Sequence, residues 1–383
     1  MTTEEIESKE FPAVIPLIWV SVTAMLFWML MPFLVGAFVD LLGYSQELAG
    51  RITAVQLLAM TATNAFAAFT VHRWNLARAT LAGCILAVLS DFFAGFIQSA
   101  ALMILTRIIS GCAMGVIVSA AYTAISRLKN PTRILGIVQA GVSISSFVFY
   151  LVVPYLLKTT GLNGPFIGLA AFTLVAAVLT WVWFPRSEGE ASVAVDQQGL
   201  WPILFAAPVL MALIGLFLGP QMAGSMMWPY LERIGVYVSL SAEKVGTTFA
   251  LSAISGTLGG LAAAWMAGKI SRSIAVTTSG LLMAASIALF LLYTIPTYFV
   301  AVQILMFTWF LMLAVVLGIF ADADPSGRLI VVANVFVTGG GAAGPAVASL
   351  FLVGDNYNWV IIVACLLMLV AVVLLIPGAR KQN

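Results

Sequence analysis

The chain has 383 residues, of which 62% are hydrophobic and only 8% charged, against about 25% charged in a soluble domain. Its net charge of +2 and single histidine, His72, offer neither a basic face for nucleic acid nor a histidine-built catalytic or metal site. Cys84, Cys112 and Cys365 all fall in apolar stretches, which leaves no disulfide framework or zinc spacing.

The first ten residues are acidic at Glu4, Glu5, Glu7 and Glu10, unlike the basic start of a cleavable signal. The apolar run from Phe11 to Phe38 is therefore expected to stay as the first membrane span. A bilayer core needs ~20 apolar residues per helix. Cutting the chain at charges and turn residues gives twelve such segments: 14–38, 50–71, 79–99, 102–125, 134–157, 163–184, 203–231, 246–267, 274–295, 298–320, 329–353 and 357–377. Pro185–Gly199 is the one long polar stretch, and it predicts a cytoplasmic linker between an N-terminal bundle, 1–184, and a C-terminal bundle, 200–383. With the N-terminus inside, twelve Lys and Arg residues fall on the cytoplasmic side and only Arg51, Lys158, Arg233 and Lys244 on the other. Positive charge gathers on the cytoplasmic side, so both termini are expected there.

The halves repeat. Ser45-Gln-Glu47-Leu-Ala-Gly50 leads into span two, and Ser241-Ala-Glu243-Lys-Val-Gly246 leads into span eight, 196 residues later. In both copies the serine is placed to cap the helix and the glutamate sits in its first turn, where the dipole favours an anion. Asn130-Pro131-Thr-Arg133 before span five is echoed by Asp324-Pro325-Ser-Gly-Arg328 before span eleven. Parallel six-span repeats place a substrate site near the midplane.

Span four carries Arg107-Ile-Ile-Ser-Gly111-Cys-Ala-Met-Gly115, an arginine followed by spaced glycines. With the six-plus-six layout and the Ser45–Gly50 lead into span two, the chain resembles the major facilitator superfamily along essentially its whole length. The resemblance implies an all-α polytopic fold of twelve helices in two pseudo-symmetric six-helix bundles, working by alternating access. Two family motifs differ here. The loop after span two reads Val71-His-Arg-Trp-Asn-Leu-Ala-Arg78, with basic residues but no aspartate, and the Gly-Pro of antiporter span five is replaced by Gly344-Pro345 in span eleven.

Charges in hydrocarbon are costly and tend to be functional. Asp91 in span three and Arg107 in span four are the two that fall mid-span. At 1.5 Å per residue their depths differ by less than one turn, so they are expected to pair, either as a static tie or as a proton-coupling site. Gln139, Ser143, Ser146 and Tyr150 share one face of span five, as Gln221, Ser225 and Trp228 do in span seven. Trp28 and Trp309 fall near the middles of spans one and ten, and Asn334 and Thr338 share a face of span eleven. A substrate site of Trp28, Arg107, Gln139, Ser143, Ser146, Gln221, Trp309 and Asn334 is expected. Pro32, Gly219, Pro220, Pro229 and Glu232 are the candidate gating positions, since broken helices mark transporter sites. Asp40, Glu232 and Arg233 lie near helix ends, where solvated surface charge is the ordinary expectation. Glycine pairs Gly111/Gly115 and Gly256/Gly260 predict close helix packing.

No phosphate loop is present, so the chain is not expected to be an enzyme, and no cofactor or metal is called for. The expected function is proton-coupled symport of a small organic solute, an organic anion by virtue of Arg107, across a bacterial inner (plasma) membrane. The expected partners are the solute, protons and the lipid bilayer. Proton-driven efflux of lipophilic compounds, and a non-transporting sensor or assembly factor, are the alternatives.

Overall fold

The structure, a computed structural model, describes residues 3–126, 131–184, 200–323, 328–352, 354 and 356–380. The 185–199 linker and the loop positions Asn130 and Asp324–Pro325 lie outside the described residues. The chain runs through α1 (Thr3–Leu42), α2 (Gln46–Thr70), α3 (Leu76–Ala94), α4 (Ala100–Ser126), α5 (Pro131–Thr160) and α6 (Asn163–Trp183). After a one-turn helix at Leu200–Leu204 come α7 (Ala207–Tyr237), α8 (Ala242–Met266), α9 (Arg272–Leu292), α10 (Ile295–Ala323), α11 (Arg328–Phe351) and α12 (Asn358–Arg380). Among the described residues ten helices are long and apolar enough to cross a membrane. Helices α2 and α11 are outside that ten and fall where spans two and eleven were expected.

The repeated serines act alike. Ser45 Oγ accepts the Leu48 N–H at 3.2 Å, and Ser241 Oγ accepts the Lys244 N–H at 3.4 Å. Each satisfies one of the amides that a helix start leaves without an intrahelical partner.

Two compact units emerge from the packing. The first comprises Met1–Leu30 and Val55–Val193, the second Met31–Ala54 and Ala194–Asn383. The hairpin of α1 and α2 is thus divided just before Pro32, and its turn belongs with the second unit. In the first unit, Val20, Met60, Cys84, Ile117 and Ala177 meet in a core drawn from α1, α2, α3, α4 and α6. Helix α4 lies tight on α2, because a Cβ at Gly111 would run into the Gln56 carbonyl, and one at Gly115 into Thr63 and the Met60 carbonyl. Small residues permit such approach where lipid supplies no hydrophobic drive. Ile85, Leu89 and Phe92 of α3 stay exposed at helical spacing, as a lipid-facing stripe should.

In the second unit α8 packs on α10, α9 on α10 and α12, and α7 on α11 and α12. Gly256 faces the Phe310 ring and Gly259 the Phe307 carbonyl, whereas a Cβ at Gly260 would meet open space. The close-packed pair is therefore Gly256/Gly259, three residues apart, and not Gly256/Gly260. Helix α7 is irregular. It is α-helical to Leu216, π-helical over Phe217–Ala223, α-helical over Gly224–Met227, 3-10 over Trp228–Tyr230 and α-helical again from Leu231. Pro220 has no N–H and its ring presses on the preceding turn, which widens there.

Candidate functional site

The first unit holds a sealed charge network. Arg107 Nη1 lies 3.0 Å from Asp91 Oδ1, so the mid-span charges of α3 and α4 are paired. The same nitrogen donates to Gln56 Oε1 at 3.2 Å, and Nη2 reaches the Ser90 carbonyl at 3.5 Å. Gln56 Nε2 donates to Ser110 Oγ at 3.3 Å, and Ser110 Oγ donates to Asp91 Oδ1 at 3.1 Å. Arg107, Gln56, Ser110 and Asp91 thereby close a ring. The guanidinium carbon sits 5.5 Å from the centre of the Phe27 ring and 4.8 Å from that of Phe166, and cation–π attraction adds to its confinement. Arg107 has no exposed surface and Asp91 is 2% exposed. Gln56 and Ser110 were not among the predicted site residues, because neither carries a charge that would single it out in an apolar span.

The other candidates of this unit surround different features. Trp28 is buried on α1. On α5, Ser146 and Tyr150 are buried and Ser143 is half-buried, while Val148 and Leu151 on the opposite face are exposed. The polar stripe therefore faces protein and the apolar face is the outer one. Gln139 lies on the same helix, with its side chain outside the described residues. Asn64 of α2 accepts a hydrogen bond from Ser119 of α4 at 3.1 Å.

In the second unit, the π-helical turn of α7 carries the polar candidates. Gln221 is buried against Gly340 of α11, and its Nε2 finds no acceptor among the described residues. One turn on, Ser225 Oγ donates to the Gln221 carbonyl at 2.6 Å and lies 3.3 Å from the Gly340 carbonyl. The buried Trp309 of α10 covers Gly224, whose added Cβ would approach the indole to 3.1 Å. Asn334 is exposed, with its backbone carbonyl accepting from Thr338. Gly219 packs on Ala371 of α12, and Pro220 and Pro229 are buried.

A second charge cluster joins the start of the hairpin turn to the end of α7. Arg233 holds Asp40 of α1 through two parallel bonds, Nη1–Oδ1 at 2.6 Å and Nη2–Oδ2 at 2.7 Å. It also holds Glu232 through Nε–Oε2 at 2.6 Å and Nη2–Oε1 at 2.9 Å. The expectation of solvated surface charges is corrected for Glu232 and Arg233, which are 6% and 8% exposed. The reason is Gly36: without a side chain there, α1 presses directly on the Glu232 carboxylate and the Arg233 guanidinium. Pro32 is buried four residues earlier. Beside the cluster, Gly50 of α2 abuts the Tyr230 hydroxyl, the Tyr357 hydroxyl donates to Gln46 Oε1, and Phe33 packs edge-on to Phe249 at 5.3 Å.

The profile described as Major Facilitator Superfamily matches residues 17–326. A comparison with curated proteins gave no match. Among solved structures, a mutant of the nucleoside transporter NupG is similar with a TM-score of 0.77 at 13% identity, covering 97% of this chain and 100% of that one. A D-xylose-proton symporter is similar with a TM-score of 0.75 at 14% identity, covering 96% and 97%. A bacterial homolog of the human lysosomal transporter Spinster, inward-facing and unoccupied, gives 0.70 at 13% identity, covering 99% and 96%. At these identities the likeness carries the fold.

Proposed function

This chain belongs to the Major Facilitator Superfamily, and from that premise we propose that it is a proton-linked secondary carrier of a small, uncharged polar solute. Membership supports secondary transport in general and a carrier rather than an enzyme. The solute class rests on one observation, the buried Gln221 Nε2 that has no acceptor among the described residues. Leaving such a donor unmet costs about 1–3 kcal/mol, and π-turns recur at functional sites. A solute hydroxyl or carbonyl oxygen would satisfy it, with Ser225 and the Trp309 ring as neighbours. Asn334 of α11 completes the proposed set within this unit.

An organic anion is less well supported. It would have to draw Arg107 out of a ring of partners that already neutralises it, and removing one member of a buried pair costs about 3–5 kcal/mol. The closed network supports a holding role for Asp91 and Arg107. Coupling at Asp91 is a second reading, favoured by its mid-span depth.

A thermal-stability screen of the purified chain separates these readings. Nucleosides and pentoses stand for uncharged polar solutes, beside carboxylic acids and lipophilic cations. A true solute at 100-fold its Kd stabilises by about 2.7 kcal/mol. The proposal expects an uncharged solute to raise Tm, Gln221→Leu to abolish that rise, and the same solute to cross proteoliposome membranes. Stabilisation by anions alone would contradict it, and binding without flux would favour the non-transporting class.

A further inference from the structure

The two buried charge clusters differ in how their charges add. Asp91 and Arg107 make one carboxylate against one guanidinium, with every carboxylate partner contributed by buried protein groups. Asp40, Glu232 and Arg233 make two carboxylates against one guanidinium. Fully ionised, that second cluster carries one uncompensated negative charge inside the candidate span Ala207–Tyr237 and the end of α1. Burying a charge without a partner is expensive, whereas burying a neutral carboxyl that still hydrogen-bonds is not. The cluster is also connected to water on one side, since the Asp40 side chain is 56% exposed and that of Glu232 only 7%.

We propose that Asp40, Arg233 and Glu232 form a one-proton site, in which Glu232 takes a proton from the solvent that Asp40 reaches, and that this proton loosens the tie between α1 and the end of α7. The inference rests on the proton-linked carrier reading and assigns its coupling group to Glu232. In the step, an O–H bond of hydronium breaks, a Glu232 Oε–H bond forms, and water is released. Arg233 keeps its own proton throughout, as a guanidinium must. After the step Arg233 is still neutralised by the paired bonds from Asp40, so the cluster loses its excess charge without stranding a cation. A lone Asp91 proton would instead leave Arg107 uncompensated in the sealed network, with no second carboxylate to take it over.

Each element around Glu232 allows this. From α1 the facing charge is Asp40. From α10 the facing group is Tyr298, whose hydroxyl is engaged at 2.9 Å with the Leu231 carbonyl. Helix α8 offers the apolar Val245, against Gly235, and Phe249. From α2 the charged groups on this side are Glu47 and Arg51, near Tyr230. The site thus has one acceptor that is both buried and in excess. Its position matters because Gly36 lets α1 rest on the Glu232 carboxylate itself. A change in that carboxylate's charge is felt at the helix contact without an intermediary, and on the charge-based topology this contact lies at the external end.

Infrared difference spectra of the reconstituted full chain, recorded between mildly alkaline and mildly acid pH, test the site without any solute. The wild type should show a protonated carboxyl band that Glu232→Gln removes. Asp40→Asn deletes a like charge and leaves Arg233 to Glu232 alone, so the ionised form is favoured. The band should then titrate at lower pH, by about one unit or more. Asp40 is half in water, so this arm stands even where Glu232→Gln folds poorly. A band that survives Glu232→Gln, or a midpoint that Asp40→Asn does not move, overturns the proposal. Loss of flux with the titration intact would instead count against the carrier reading, so the two failures are distinguishable.

Discussion

The Asp91–Arg107 network and the Asp40–Arg233–Glu232 cluster are built from the same residue types and behave as opposites. In the first, a balanced pair is enclosed by Gln56, Ser110 and two aromatic rings, and every member is buried. In the second, one guanidinium is shared by a buried and a half-exposed carboxylate. Balance and enclosure suit a part that must not move. Excess charge and a route to solvent suit a part that changes state. The difference lies in stoichiometry and access, not in depth along the helix.

The largest effect should come from breaking the balanced pair. Arg107→Ala leaves Asp91 buried and uncompensated and should lower stability by about 3–5 kcal/mol, read as a fall in Tm in detergent. Replacing both partners, Asp91→Leu with Arg107→Met, should recover most of that loss if the pair is only a tie. Next come the glycines that flank each cluster. A Cβ at Gly111 meets backbone at the Gln56 carbonyl, so Gly111→Ala should cost about 1–3 kcal/mol. At Gly36 the Cβ meets the far ends of Glu232 and Arg233, which can swing away. Gly36→Ala should therefore cost less stability than Gly111→Ala, and equal losses would erase the distinction between a fixed and a movable region. Gln221→Leu should hold or raise Tm, by about 1 kcal/mol equivalent, because it removes an unmet buried donor. A clear loss of stability there would show the amide to be structural. The smallest change is expected for Asp40→Asn, below about 1 kcal/mol, since an exposed ion pair contributes little.

Much of the architecture could be read directly. Hydropathy marked the spans, and the Ser45 and Ser241 motifs marked equivalent helix starts because a cap is a local interaction. Asp91 and Arg107 could be paired from depth alone, being on consecutive helices. Arg233 and Asp40 could not: they are 193 residues apart, and their nearness to helix ends suggested solvent. What buries Arg233 is Gly36, and nothing in an isolated glycine says which helix will lie against it. The π-turn announced itself through Gly219-Pro220, while the unmet donor of Gln221 depends on where Gly340 of α11 falls. Gly259 was missed for a similar reason, since a partner carbonyl, that of Phe307, decides which glycine of a close pair does the packing.

On the proposed assignment the movable cluster, and not the sealed pair, carries the coupled proton. Proteoliposomes holding Glu232→Gln or Asp91→Asn, loaded with the solute found by thermal screening, test it through two assays. One is accumulation driven by an imposed proton gradient, and the other is exchange without a gradient. Glu232→Gln should lose gradient-driven accumulation at least tenfold while still exchanging solute. If Glu232→Gln accumulates solute normally and Asp91→Asn is the variant that exchanges without accumulating, the proton belongs to the sealed pair and not to Glu232.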